Sequence, residues 1–147
     1  MNFAHTAYVG MGSNIGDRIT HCKTAVSLLA DHPHIIITKQ SSWIETSFEG
    51  STEIGTKHGK FINGVLEIST ALDPMELLET LLLMETTIGR VRRQKWEPRI
   101  IDLDLLLYDD LSMNTEKLIL PHPFMKFRDF VKIPLLEINP NLKHYFK

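Results

Sequence analysis

The sequence predicts an α+β sandwich with a mainly antiparallel sheet. Three observations carry that prediction. Strand-type and helix-type runs interleave along the 147 residues. Only two of the links between strands carry helices, the others being loops or turns, which suits an antiparallel sheet better than a doubly wound parallel one. No repeat, low-complexity tract or Pro/Gly/Ser-rich linker divides the chain, so a single domain over residues 1–147 is expected.

Residues 4–11 read as a short strand entering a turn at Gly12-Ser13-Asn14. Residues 17–31 read as a helix, with Ile19, Cys22, Val26 and Leu29 on one face, closed by Pro33. Residues 34–45, opening on the β-branched run Ile35, Ile36, Ile37 and Thr38, read as one strand. Residues 47–60 hold Gly50, Gly55 and Gly59 and few large apolar side chains, the signature of a long functional loop. Residues 61–69 alternate, with Ile62, Gly64, Leu66 and Ile68 on one side and Phe61, Asn63, Val65 and Glu67 on the other.

The next helix has the clearest limits. Asp73 suits the N-cap, Pro74 the first position, Glu76 the capping box and Gly89 the position after the end. Leu77, Leu78, Leu81, Leu82, Met84 and Ile88 form its apolar stripe. Residues 100–108 are strongly strand-like, and 117–120 form a further short strand before Pro121-His122-Pro123. A short helical stretch is expected around 125–131, and a turn at Asn139-Pro140.

Hydrophobic residues make up 43% and charged residues 23%, with 16 basic against 18 acidic side chains and a net charge of −2. These are ordinary values for a globular domain. Cys22 is alone, so neither an intramolecular disulfide nor a Cys-based zinc site is expected. No apolar run approaches a membrane span, and residues 1–5 lack a signal-like pattern, so a cytoplasmic protein without a membrane partner is expected. No coiled coil is readable, which makes a monomer the expectation. The charge is uneven: residues 90–99 carry five basic groups and one acidic. So compact a cluster in an acidic chain favours a local anionic ligand over long nucleic acid.

The strongest chemical feature is Arg99-Ile100-Ile101-Asp102-Leu103-Asp104-Leu105-Leu106-Leu107. On a strand, Asp102 and Asp104 share a face, with Cα atoms roughly 7 Å apart. Paired carboxylates repel unless a cation compensates them. The flanking run is too apolar for a surface strand, which favours ligation of Mg²⁺, with two ions about 4 Å apart, over a solvated acidic edge. Just upstream, the arginines of the basic segment 89–99 (Arg90, Arg92, Arg93 and Arg99) offer planar forks for phosphate oxygens, and their place beside the carboxylate strand favours that over a solvated basic loop. Trp96 either covers a ring or packs. His122, held between two prolines, either donates to a phosphate or is structural, and Arg128 lies close enough in sequence to join an anion site. The Asn63 amide either reads a heterocycle edge or is a satisfied core group. Phe61 and Phe130 are by default core aromatics. Gly10, Gly12 and Gly16 do not make GxGxxG, and residues 55–60 are not a P-loop, so phosphates fall to the arginines and a metal.

Four stretches together resemble the 6-hydroxymethyl-7,8-dihydropterin pyrophosphokinase family of folate biosynthesis. They are Gly12-Ser13-Asn14; Phe61-Ile62-Asn63; residues 85–104 with GRVR, Trp96, Pro98-Arg99 and DLDL; and Pro121-His122-Pro123 with Met125-Lys126, Arg128 and Phe130. The resemblance implies a ferredoxin-like three-layer α/β/α sandwich. It also implies Mg²⁺-dependent transfer of pyrophosphate from ATP to the dihydropterin, releasing AMP. Asp102 and Asp104 then match the ligands of two Mg²⁺ ions. Arg90, Arg92, Arg99, His122 and Arg128 match the phosphate-binding set, with Arg90 and Arg99 also catalytic. Glu85 and Trp96 resemble nucleotide-site residues, Trp96 in a loop that closes the site. Asn63 matches the pterin-binding asparagine, Phe61 and Phe130 the aromatic pair around the ring, and Thr46 a threonine whose backbone holds it. Glu97 stands where the family often has glycine, and no proline follows Thr46.

Two other classes fit parts of the pattern. A nucleic-acid-binding module would use the basic segment and its tryptophan, but no RNP1-like segment is present, and sheet aspartates repel phosphates. A nucleotidyl transferase or cyclase with two aspartates would release pyrophosphate rather than AMP.

Overall fold

The structure is a computed structural model and describes residues 2–46, 60–89 and 100–146. Five strands form one sheet: β1 (His5–Ser13), β2 (Ile35–Gln40), β3 (Ile44–Thr46), β4 (Phe61–Thr70) and β5 (Asp102–Tyr108). Their order is β2-β4-β1-β5, with β3 continuing beside β4, and each of these pairings is antiparallel. The helix α1 (Arg18–Asp31) links β1 to β2, and α2 (Pro74–Ile88) links β4 towards β5. A two-stranded ribbon of β6 (Met113–Asn114) and β7 (Ile119–Leu120) follows, then a 3₁₀ turn (Met125–Phe127), α3 (Asp129–Ile138) and a 3₁₀ segment (Pro140–Phe146). This is the expected α+β, ferredoxin-like sandwich.

Both linking helices begin as their sequences direct. The Asp17 carboxylate accepts from the Thr20 N–H at 3.1 Å. Asp73 and Glu76 close a full capping box, their carboxylates each accepting from the other's backbone N–H. Gly89 ends α2 at φ 120°, a conformation that side chains resist.

Alternation along the strands divides the sheet into two faces. Ala7, Val9 and Met11 of β1, Ile62, Leu66 and Ile68 of β4, and Leu103 and Leu105 of β5 pack with Cys22, Ala25 and Leu29 of α1 and Leu77 and Leu81 of α2. The opposite face packs Tyr8, Val65, Leu106 and Leu107 against Met125, Val131 and Leu135. Leu106 and Leu107 are neighbours yet share that face, because the β1–β5 register slips between Tyr8 and Val9. At the end of α3, Asn139 donates to the Tyr8 hydroxyl at 2.9 Å, and Tyr8 donates to Glu67 at 2.6 Å. Burial and the Glu67 carboxylate push the Tyr8 phenol up to about 12.

Four boundaries differ from expectation. Gly12 and Ser13 extend β1 instead of turning, because β4 is long enough to pair with both. The single strand expected over 34–45 is two. At the break, the Ser41 hydroxyl accepts from the Val65 N–H, Ser42 donates to Glu137, and Trp43 covers Gly64 so closely that a Cβ there would lie 2.7 Å from its ring. The strand expected at 117–120 is reduced to Ile119–Leu120, and its partner β6 was not expected. The last helix runs to Ile138 with Pro134 inside it, well beyond the short stretch expected around 125–131. The loop expected over 47–60 lies, except for Lys60, outside the described residues. Among the described residues, no helix is long and apolar enough to cross a membrane.

Candidate active site

The β-sheet register sets the site. Gly12 pairs with Asn63 of β4 on one side and with Asp102 of β5 on the other. Directly paired residues of an antiparallel ladder project to the same face. Asn63, Gly12 and Asp102 therefore form one row, and Val65, Gly10 and Asp104 form the next. Two strand spacings separate Asn63 from Asp102, roughly 10 Å. Glycine between them keeps this stretch of the face a shallow trough, into which the Asn63 amide leans, its Oδ1 2.5 Å from where a Gly12 Cβ would stand. Asp102 and Asp104 are partly exposed while Leu103 and Leu105 are buried, so the expected shared face for the two carboxylates is present.

A cleft of about 410 Å³ opens along β5. It is lined by Leu78, Leu82 and Glu85 of α2, residues 102–105, residues 116–119, His122 and Pro123. Both aspartates, Glu85 and His122 thus meet in one cavity. Glu85 is 2% exposed, and its carboxylate accepts from the Leu103 N–H, between the two aspartates, at 2.7 Å. It anchors the strand that carries them. Its position was legible, since Glu85 falls four and eight residues after Leu81 and Leu77 on the stripe that faces the core.

His122 follows the cis Leu120–Pro121 bond, and its backbone N–H donates to the Leu106 carbonyl at 2.9 Å. Its Nδ1 accepts from the Phe124 N–H at 3.2 Å, which leaves the ring proton on Nε2. Burial, with the Arg128 charge nearby, pushes the imidazole down to about 4. At neutral pH His122 is an uncharged donor. Arg128 sits just before α3 with its guanidinium 5.4 Å from the Phe124 ring centre and 5.6 Å from that of Phe130.

Asn63 is 5% exposed, and its Nδ2 donates to the Thr46 hydroxyl at 2.9 Å. Thr46 pairs in the sheet with Phe61, two residues before Asn63 on the same face. The asparagine, Thr46, Phe61, Arg128 and Phe130 are not among the residues lining the β5 cleft. Asn63, Thr46 and Phe61 lie together on the sheet face beside it, and Phe130, with Arg128 against its ring, packs against the Tyr8 and Val65 cluster of that same face. Arg90, Arg92, Trp96 and Arg99 lie outside the described residues. Sequence reasoning passed over Leu78, Leu82 and residues 116–119 as cleft walls. Only Leu82, exposed within an otherwise core-facing stripe, carried a weak signal of it.

The two carboxylates fit Mg²⁺, a hard ion commonly held by one or two carboxylates together with substrate phosphates and water. Among the described residues, no group of three or more His, Cys, Asp or Glu could hold a metal ion by itself. Phosphate oxygens would complete such a coordination shell.

The model of the 7,8-dihydro-6-hydroxymethylpterin-pyrophosphokinase family matches residues 8–140, a span that contains every residue of the row and the cleft. The chain belongs to that family. The 2-amino-4-hydroxy-6-hydroxymethyldihydropteridine pyrophosphokinase of Bacillus subtilis is 46% identical over 132 residues, covering 90% of this chain and 77% of that protein. The enzyme of the same name from Aquifex aeolicus is 42% identical over 95% of this chain and 83% of its own. This pyrophosphokinase is accordingly an enzyme of folate biosynthesis. Among solved structures, a Plasmodium falciparum HPPK-DHPS crystallised with pteroate superposes with a TM-score of 0.72 at 13% identity, which shows the fold. The match covers 97% of this chain, which spans only 42% of that longer one.

Proposed function

We propose that residues 1–147 act as one domain that transfers the terminal pyrophosphoryl group of ATP to the hydroxymethyl oxygen of 6-hydroxymethyl-7,8-dihydropterin, with release of AMP. One observation carries the reading: a single sheet face holds an amide suited to a heterocycle and, one glycine away, a carboxylate pair that opens into a cleft. In the reaction, the hydroxymethyl oxygen forms a bond to the β-phosphorus. The bond from that phosphorus to the bridging oxygen breaks, and its electron pair leaves with AMP. The hydroxyl proton passes to the Asp102 carboxylate as the new bond forms, and from there to water.

Bound Mg²⁺ supplies charge neutralisation and Lewis acidity at the phosphates. Asp102 and Asp104 are the residues that would hold it, as two ions per ATP in the family pattern. Asp102, in the row shared with Asn63, also orients the attacking hydroxyl. His122 donates from Nε2 to a phosphate oxygen, and Arg128 adds its fork. Glu85 keeps β5 in place beneath them. Roles for Arg90 and Arg99 in stabilising the transferring group, and for Arg92 and Trp96 in holding ATP, rest on the family pattern alone. Asn63 bonds the pterin, Phe61 and Phe130 flank its ring, and Thr46 completes that side. Positioning and charge neutralisation suffice for such a transfer, and no covalent enzyme intermediate is required.

The reading places the enzyme in the cytoplasm, as a monomer with no nucleic-acid or membrane partner. Its one cysteine, Cys22, is free and buried, and burial pushes the thiol up to about 12. The deciding experiment follows AMP formation from ATP and the dihydropterin with and without Mg²⁺. AMP that needs both pterin and Mg²⁺ supports the reading. Release of pyrophosphate, or turnover that ignores the pterin, overturns it.

A further inference from the structure

Asn63 is held from two sides by residues that bear no charge. Its Nδ2 donates to the Thr46 hydroxyl at 2.9 Å, across the β3–β4 pairing. Its Oδ1 stands on the side of Gly12 where a side chain would begin: a Cβ built there would lie 2.5 Å from that oxygen. The next neighbours of such a Cβ, Asn63 Cγ and the Ile62 carbonyl, stay at 3.5 Å, an ordinary contact. A methyl group at Gly12 would therefore collide with the amide oxygen and with nothing else.

We propose that Thr46 and Gly12 are positioning residues that fix which end of the Asn63 amide faces each way, and so set the order of donor and acceptor shown to the pterin. A hydroxyl can accept from Nδ2 or donate to Oδ1, so Thr46 alone does not choose between the two orientations. Gly12 does. A carbonyl oxygen above an α-carbon makes an attractive Cα–H···O contact, whereas an amino group there would set hydrogen against hydrogen. With one amide hydrogen committed to Thr46, one N–H donor and the outer lone pair of Oδ1 remain for a ligand. A ring edge that offers an acceptor beside a donor matches them in one direction only. A reversed edge leaves polar groups unpaired in a site that is 95% shielded at Asn63, and such mispairing is costly.

The proposal rests on the pterin reading, but its first test needs no pterin. In the ligand-free protein, the side-chain amide protons of Asn63 are expected to exchange slowly with solvent by NMR. Thr46→Val, which keeps the shape and removes the hydroxyl, should make that exchange fast, and Thr46→Ser should restore protection. The second test is kinetic. Thr46→Val is expected to raise the KM for the dihydropterin about five- to tenfold, leaving the KM for ATP within twofold, and Gly12→Ala to raise it further. In an Asn63→Ala background, where the amide is gone, neither substitution should add to the loss. If Gly12→Ala does not fold, its combination with Asn63→Ala, which removes the oxygen that the new methyl group would meet, should restore folding, and failure to do so overturns the part given to Gly12.

Unchanged amide exchange in Thr46→Val, or full costs persisting in the Asn63→Ala background, overturns the proposal. A wild-type enzyme that does not use the pterin overturns the functional reading instead, and the exchange experiment then still decides the positioning claim.

Discussion

The two faces of the sheet come from the same strands, yet they are built to different ends. The face under α1 and α2 is apolar along its length, from Ile68 and Ala7 to Ile62, Met11 and Leu103. The face under α3 is apolar only where Tyr8, Val65, Leu106 and Leu107 meet Val131 and Leu135. Beyond them, the same alternating positions hold Gly10, Gly12, Asn63, Asp102 and Asp104. A strand offers every second residue to each face, so one run of sequence can build a sealed core and an open polar trough at once. The lesson is one of division: stability is concentrated on one face and chemistry at one end of the other, the two meeting only at the β5 edge, where Leu78, Leu82 and Glu85 of α2 wall the cleft.

If that division holds, substitutions on the two faces should part company. The largest effect is expected from Asp104→Asn, which should lower Mg²⁺-dependent AMP formation about a thousandfold or more while circular dichroism and the thermal midpoint stay near wild type. Near-normal turnover would refute the role of the carboxylate pair. Asn63→Ala should raise the KM for the dihydropterin by more than tenfold with little change for ATP, as steady-state kinetics would show, and equal losses for both substrates would erase the boundary drawn between trough and cleft. Leu81→Ala, on the sealed face at 0% exposure, should cost about 2–5 kcal/mol in denaturant unfolding yet leave both KM values close to wild type. A large change in KM there would show that the faces are coupled.

The smallest expected effect is a pH slope. The His122 imidazole falls to about 4 in the folded protein against an ordinary 6.5, so between those values the unfolded chain binds more protons. Stability from this group is complete above about 6.5 and is lost as the pH falls towards 4. His122→Gln should therefore flatten the decline of the thermal midpoint across that interval. An unchanged slope would mean that the ring is not held neutral.

Much of the site could be read in the chain because its chemistry is local. Asp102 and Asp104 share a face by strand periodicity alone, and Asp73, Pro74 and Glu76 mark a helix start that the structure reproduces group by group. Glu85 could be read too, as an acid on an apolar stripe, although not its hold on the Leu103 N–H. The break between β2 and β3 could not, because it depends on Val65, Glu137 and Gly64, which arrive from elsewhere in the chain. The length of α3 was hidden by Pro134, which reads as a stop but is tolerated in a helix whose Val131 and Leu135 are buried.

The sequence by itself determined the limits of α1 and α2 and the carboxylate pair, because each depends on residues within a few positions of one another, and the order of such local segments along the chain determined the α+β class and the family pattern. Which residues face one another was decided by tertiary structure. Asn63 and Asp102 are 39 positions apart, and only the antiparallel register on either side of Gly12 sets them in one row. The neutral, Nε2-protonated state of His122 was likewise decided by burial and by the backbone of Phe124. Hydrogen-bond ladders and desolvation act between segments that chain order keeps apart, and those forces turned a list of reactive side chains into a trough beside a cleft.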